Sequence, residues 1–173
     1  MPKGDPLTAT IQGVDLTAAQ AAAVRAIDDA ADDLIALSKF IHDNPEIALQ
    51  EVRSSAACAD FLEQRGFAVE RGVAGLPTAF AASAGTGRPH IAYLSEYDAL
   101  PGVGHGCGHN LIAIAGIGAG LGLAAALNHL GGQGRVGIFG TPAEEAVGGK
   151  VIMAKEGLFA GVDAALGAHP GTS

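Results

Sequence analysis

A chain of 173 residues with 49% apolar content and a mean hydropathy of +0.30 is long enough for one domain with a substantial core, and too apolar for disorder to be the default. Ten Lys and Arg stand against 18 Asp and Glu, a formal charge of −8, with no basic run and no Trp, which argues against nucleic acid as a partner. Cys58 and Cys107 lie in unlike contexts, and the opening MPKGDPLTATIQG contains no apolar h-region, so neither a disulfide nor secretion is expected and a reducing cytoplasm fits.

Residues 1–14 read as a flexible arm. Thr17 to Gln20 has the form of a capping box, and Val24, Ile27, Leu34, Ile35 and Ile41 recur at helical spacing, predicting one amphipathic helix that ends at Asn44 and Pro45. A second helix is predicted from about Glu51 to Arg65, with Ala56, Ala57, Phe61 and Leu62 inward, Cys58 as a small core residue and Gly66 as its stop. After Gly66, FAVERGV, TAFAASA and HIAYLSEY read as strands between Gly and Pro punctuation. Leu111 to Leu127 is uncharged but falls short of the roughly 20 apolar residues of a membrane span, so a buried helix from about Asn110 to Leu130 is expected, stopped by Gly131 and Gly132. The strand RVGIFG, a short helix from Gly149 to about Glu156 and the strand VDAALGAH complete the series. Strand and helix alternating in this way predict an α/β sheet covered on both faces by helices, with ligands at the strand ends. Each reactive cluster follows a predicted strand: EYDALPGVGHGCGHN, TPAEE and HPG.

Within GHGCGHN, an extended loop would turn Cys107 and His109 to the same side, offering a thiolate and an imidazole to one ion. His105 and His109 would share a face only in a helix, which Gly106 and Gly108 oppose. Glu144 and Glu145 are adjacent carboxylates after an apolar strand. They suit either an acidic turn at a helix start, or a division of labour in which one ligates a metal and the other takes a proton from the attacking water. With His169, the set Cys107, His109, Glu145 and His169 mixes the soft and borderline donors that zinc or manganese accepts.

HDNPE (His42 to Glu46), EYDALPG (Glu96 to Gly102), GHGCGHN, TPAEE and GAHPG (Gly167 to Gly171), in this order, resemble metallopeptidase family twenty, the aminoacylase and carboxypeptidase-G-like amidohydrolases. The branch they resemble contains p-aminobenzoyl-glutamate hydrolase, N-acyl amino acid amidohydrolases and β-alanyl-lysine dipeptidases. The resemblance implies a three-layer α/β/α sandwich, residues 15–173 forming the N-terminal part of a dimetal catalytic domain. It implies two divalent ions, zinc or manganese, with Cys107, His109, Glu145 and His169 as ligands and Glu144 as general base. Asp98 and Asn110 would act behind the ligands, and His42 would be structural. Expected substrates are small amides: N-acyl amino acids, aminobenzoyl-glutamate-like conjugates or dipeptides. No membrane partner is expected.

Members of this family are longer than 173 residues. The resemblance therefore implies that a lid that makes a homodimer, a last histidine ligand and the rest of the catalytic domain belong to sequence beyond Ser173, leaving at least one metal site incomplete here. Two alternatives follow: an inactive fragment that binds metal weakly, and an amidase using Cys107 as nucleophile with His105 or His109 as its base.

Overall fold

The computed structural model describes residues 16–171; the expected arm over 1–14 lies outside them. The single helix expected from Thr17 to Asn44 is two, α1 (Leu16–Asp29) and α2 (Ala31–Asp43). Ala30 makes the break, a buried turn residue whose N–H donates to Ile27 O at 3.1 Å. An apolar period read across that break cannot assign faces correctly. Leu34 and Ile41 are buried as expected, but Val24 and Ile35 are 57% and 49% exposed. Thr17 lies inside α1, so it is not a cap. The helix α3 (Val52–Gln64) matches expectation: Cys58, Phe61 and Leu62 are buried, and Gly66 ends it at φ +82°.

The sheet comprises β1 (Ala68–Arg71), β2 (Phe80–Ser95), β3 (Gln133–Gly140) and β4 (Ala164–Leu166). The two strands expected at TAFAASA and HIAYLSEY are the two halves of β2, which folds back so that both flank β3. Partners run from Phe80↔Gly140 to Gly85↔Arg135 in falling register, the antiparallel sense, then from His90↔Arg135 to Ser95↔Gly140 in rising register, the parallel sense. β1 pairs antiparallel with the first half, and β4 pairs parallel with the second.

Alternation along the strands divides the core into two layers. Val136 and Ile138 face a cluster with Leu34, Ile41, Cys58, Leu62, Phe80 and Ile117 from the helices α2, α3 and α4 (His109–His129) and from β2. Phe139 and Ala92 face the other way, against Met153 of α5 (Gly149–Lys155) and Val73 and Leu76 in and beside a 3-10 turn. Helices on both faces of a mixed sheet make the expected α/β/α layering.

Among the described residues α4 alone is long and apolar enough to cross a membrane. It is packed against α1, α2 and the sheet instead. Its glycines permit that closeness: a Cβ at Gly116 would stand 2.5 Å from Leu94 O, and one at Gly120 would stand 2.3 Å from Ile138 Cδ1. The parallel trio of β2, β3 and β4 ends at Ser95, Gly140 and Leu166. The loops that follow carry Glu96 and Asp98, Glu144 and Glu145, and His169, all at one edge of the sheet beside the start of α4.

Candidate metal centre

His109 is the first residue of α4, entered through Gly108 in the left-handed conformation at φ +81°. The extended alternation expected for Cys107 and His109 is therefore replaced by a tight turn into a helix, which brings the two side chains together by another route. Cys107, His109 and His169 each have a ligand atom within 4.8 Å of the others, and so do Glu96, His109 and Glu144.

In both histidines of these groups the Nδ1 side of the ring is already engaged. His109 Nδ1–H donates to Asp98 O at 2.8 Å and lies 3.0 Å from Asp98 Oδ1. His169 Nδ1–H donates to Pro170 O at 2.7 Å. In both rings the bonded Nδ1 leaves the Nε2 lone pair pointing into the site. His169 Nε2 stands 3.3 Å from Cys107 Sγ. His109 is fully buried, and its Nε2 has no hydrogen-bond partner. Around that nitrogen lie Glu96 Oε2 at 3.4 Å, Glu145 Oε1 at 3.7 Å and Glu144 Oε2 at 4.0 Å. A buried lone pair ringed by carboxylates is unfavourable unless a proton or a metal cation joins them. The thiol, imidazole and carboxylate donors suit zinc or manganese, so the residues present fit such an ion.

Asp98 ties two elements of the centre together. Its Oδ1 meets His109, and its Oδ2 accepts the backbone N–H of Glu145 at 3.0 Å. Burial opposes its charge, but these bonds outweigh that and hold its carboxyl below the usual value. Burial likewise works against a charged His109, yet the bond to Asp98 and the carboxylates of Asp98 and Glu96 raise its pKa. The Cys107 thiol is pushed up to about 11, first by a hydrogen bond to Glu145, then by burial and by the charges of Glu145, Glu144 and Glu96.

Of the other residues singled out in the sequence, Asn110 is buried but turned to α2, its Nδ2 donating to Ser38 Oγ at 3.0 Å. His105 stands with its ring 6.4 Å from that of His42, outside both ligand groups. Two charged residues here escaped the sequence reading. Glu96 faces His109, and Lys150 of α5 pairs with Glu96 Oε1 while its Nζ lies 3.8 Å from Glu144 Oε1. The signal for Glu96 was its place two residues before Asp98; nothing local marked Lys150.

Comparison with known proteins finds no family model that matches. The chain is 41% identical to a Xaa-Arg dipeptidase of Mus musculus, over 93% of this chain and 40% of that protein. It is 42% identical to a component of the p-aminobenzoyl-glutamate hydrolase of Escherichia coli, over 75% of this chain and 31% of that protein. Among solved structures, a Bacillus subtilis dinuclear metal-binding peptidase of the M20 family superposes with a TM-score of 0.69 at 27% identity, covering 81% of this chain and 43% of that one. The chain thus spans two fifths or less of the length of these two sequence relatives. With this fold, the ordered motifs and these similarities together, the chain belongs to the M20 family of metallopeptidases and amidohydrolases, corresponding to the N-terminal part of its members.

Proposed function

We propose that this chain is the N-terminal part of the catalytic domain of a metal-dependent amidohydrolase that cleaves an amide bond in a dipeptide, an N-acyl amino acid or an aminobenzoyl-glutamate-like conjugate. The observation that carries the reading is His109 Nε2, buried and unpartnered among three carboxylates while Nδ1 is held by Asp98. Cys107, His109, Glu145 and His169 would hold divalent ions, zinc or manganese, two in the full-length protein. Such ions supply Lewis acidity at the scissile carbonyl and make water a stronger acid.

Glu144 is the general base. Its side chain is 37% exposed, open to substrate on one side, with Oε2 4.0 Å from His109 Nε2 on the other. It takes a proton from the attacking water as the carbon–oxygen bond forms, then passes that proton to the amide nitrogen as the carbon–nitrogen bond breaks. Glu145 points its oxygen at His109 and its backbone at Asp98, which orients the acidic pair. The resemblance supports further parts in the full-length protein: another histidine ligand, and a lid that binds substrate and makes a homodimer. Cys58 and Cys107 are both free thiols, in keeping with a reducing cytoplasm.

The cysteine-nucleophile reading loses support from the thiol itself. A pKa near 11 leaves Cys107 protonated at neutral pH unless a cation displaces the proton. In the full-length protein, Glu144→Ala should keep its metal and lose turnover of dipeptides and N-acyl amino acids, whereas Glu145→Ala should lose both. Hydrolysis that survives chelation but is abolished by iodoacetamide would sink the metal reading in favour of the thiol.

A further inference from the structure

Of the three carboxylates around His109 Nε2, the nearest belongs to a residue that the sequence motifs did not mark as a ligand. Glu96 Oε2 lies 3.4 Å away, closer than Glu145 Oε1 at 3.7 Å or Glu144 Oε2 at 4.0 Å. Glu96 is 7% exposed and His109 fully buried, so water does not screen the contact. With Nδ1–H engaged by Asp98, the neutral His109 ring presents an Nε2 lone pair to the lone pairs of Glu96, and no hydrogen bond joins them. Two acceptors held face to face in a buried place repel unless a proton or a metal cation lies between them, and 3.4 Å is longer than the roughly 2.7–3.2 Å of an N–H···O bond. Their separation matches the metal: two ligands each about 2.0–2.1 Å from a tetrahedral ion stand about 3.4 Å apart. Lys150 Nζ binds the other oxygen, Oε1, which fixes the carboxylate and leaves Oε2 turned to His109.

We infer that Glu96 is itself a metal ligand, donating Oε2 to the same divalent ion as His109 Nε2, with Lys150 holding Oε1 so that the carboxylate binds through one oxygen. This rests on the metal-centre reading above. It assigns β2 a ligand at its carboxyl end, beside the Asp98 that orients His109.

Zinc affinity of the full-length protein, measured by competition against a chromophoric chelator, tests the assignment. Glu96→Gln should weaken zinc binding by about tenfold or more. Lys150→Met should lose much less than Glu96→Gln, because the carboxylate, though no longer fixed at Oε1, stays beside His109. If Lys150→Met loses as much as Glu96→Gln, Glu96 serves only to seat the lysine and the inference is overturned. If Cys107→Ser loses zinc while Glu96→Gln binds it as the unsubstituted protein does, the inference fails and the metal centre stands. If neither substitution alters zinc binding, the metal-centre reading fails as well. Circular dichroism of the metal-free variants checks folding. Should Glu96→Gln not fold, Glu96→Asp keeps the charge for Lys150 but withdraws the oxygen by one methylene, and the same loss or retention of zinc decides.

Discussion

Glu51 Oε1 accepts the backbone N–H of Ala143 at 2.9 Å, joining the start of α3 to the acidic turn 92 residues later. Glu51 is fully buried, and its other oxygen accepts from Thr78 Oγ1 at 2.9 Å. Ala143 sits at φ +58°, a conformation that non-glycine residues seldom adopt, immediately before Glu144. The buried carboxylate thus holds a strained backbone residue that leads directly into the proposed base and ligand. Glu51→Ala would leave the Thr78 hydroxyl and the Ala143 N–H without a partner. It should cost about 2–4 kcal/mol in urea unfolding. A loss within error of zero would show that the turn holds itself.

Asp98 bonds both His109 and the Glu145 backbone, so its removal should loosen a ring and a turn together. Asp98→Ala should reduce zinc affinity by about 10–100-fold. Isothermal or chelator titration measures it, and affinity equal to that of the unsubstituted protein would remove Asp98 from the centre.

Metal binding should strengthen as pH rises. The free Cys107 thiol, at about 11, carries a proton through the neutral range, and an ion bound to sulfur must displace it. The logarithm of affinity should therefore rise by about one per pH unit, and more steeply on the acid side, where His109, its pKa raised, also holds a proton. Cys107→Ser should flatten the slope across neutral pH. A slope unchanged by that substitution would take the thiol out of the ligand set.

Two glycines of α4 should respond oppositely to the same change. A Cβ at Gly116 meets Leu94 O at 2.5 Å and Ser95 Oγ at 2.6 Å, so Gly116→Ala forces the helix off the sheet and should cost about 1–3 kcal/mol. At Gly118 the nearest atom is Leu34 Cδ1 at 3.5 Å, an ordinary contact. Gly118→Ala should therefore stabilise by about 0.5–1 kcal/mol through helix propensity. Thermal melts of the pair decide it; equal shifts of the same sign would contradict the packing described for α4.

The helices α3 and α4 and the strand β3 were legible because each carries its own signal: Gly66 after an apolar period, an uncharged run before Gly131, a β-branched and aromatic stretch before TPAEE. The first helix differs because a 3.6-residue period continues on paper through Ala30, whereas in the chain a turn there breaks the helix, and α1 and α2 pack on α4 as separate helices, α2 meeting α3 as well. Cys107, His109, Glu144, Glu145 and His169 stand out in the sequence by chemical type, and the fold gathers them at one edge of the sheet. The geometry expected for the first two was that of an extended loop rather than of a helix start.

By itself the sequence determined the alternation of elements, the layering and the residues able to ligate or move a proton, since chemical type and local spacing are properties of neighbours along the chain. The tertiary structure alone decided how β2 folds around β3, that Glu96 rather than another carboxylate lies nearest the free nitrogen of His109, and that Glu51 and Lys150 support the acidic turn. Those relationships span tens of residues. They depend on which buried charges find partners once the helices have closed over the sheet, and no local pattern in the sequence encodes that pairing.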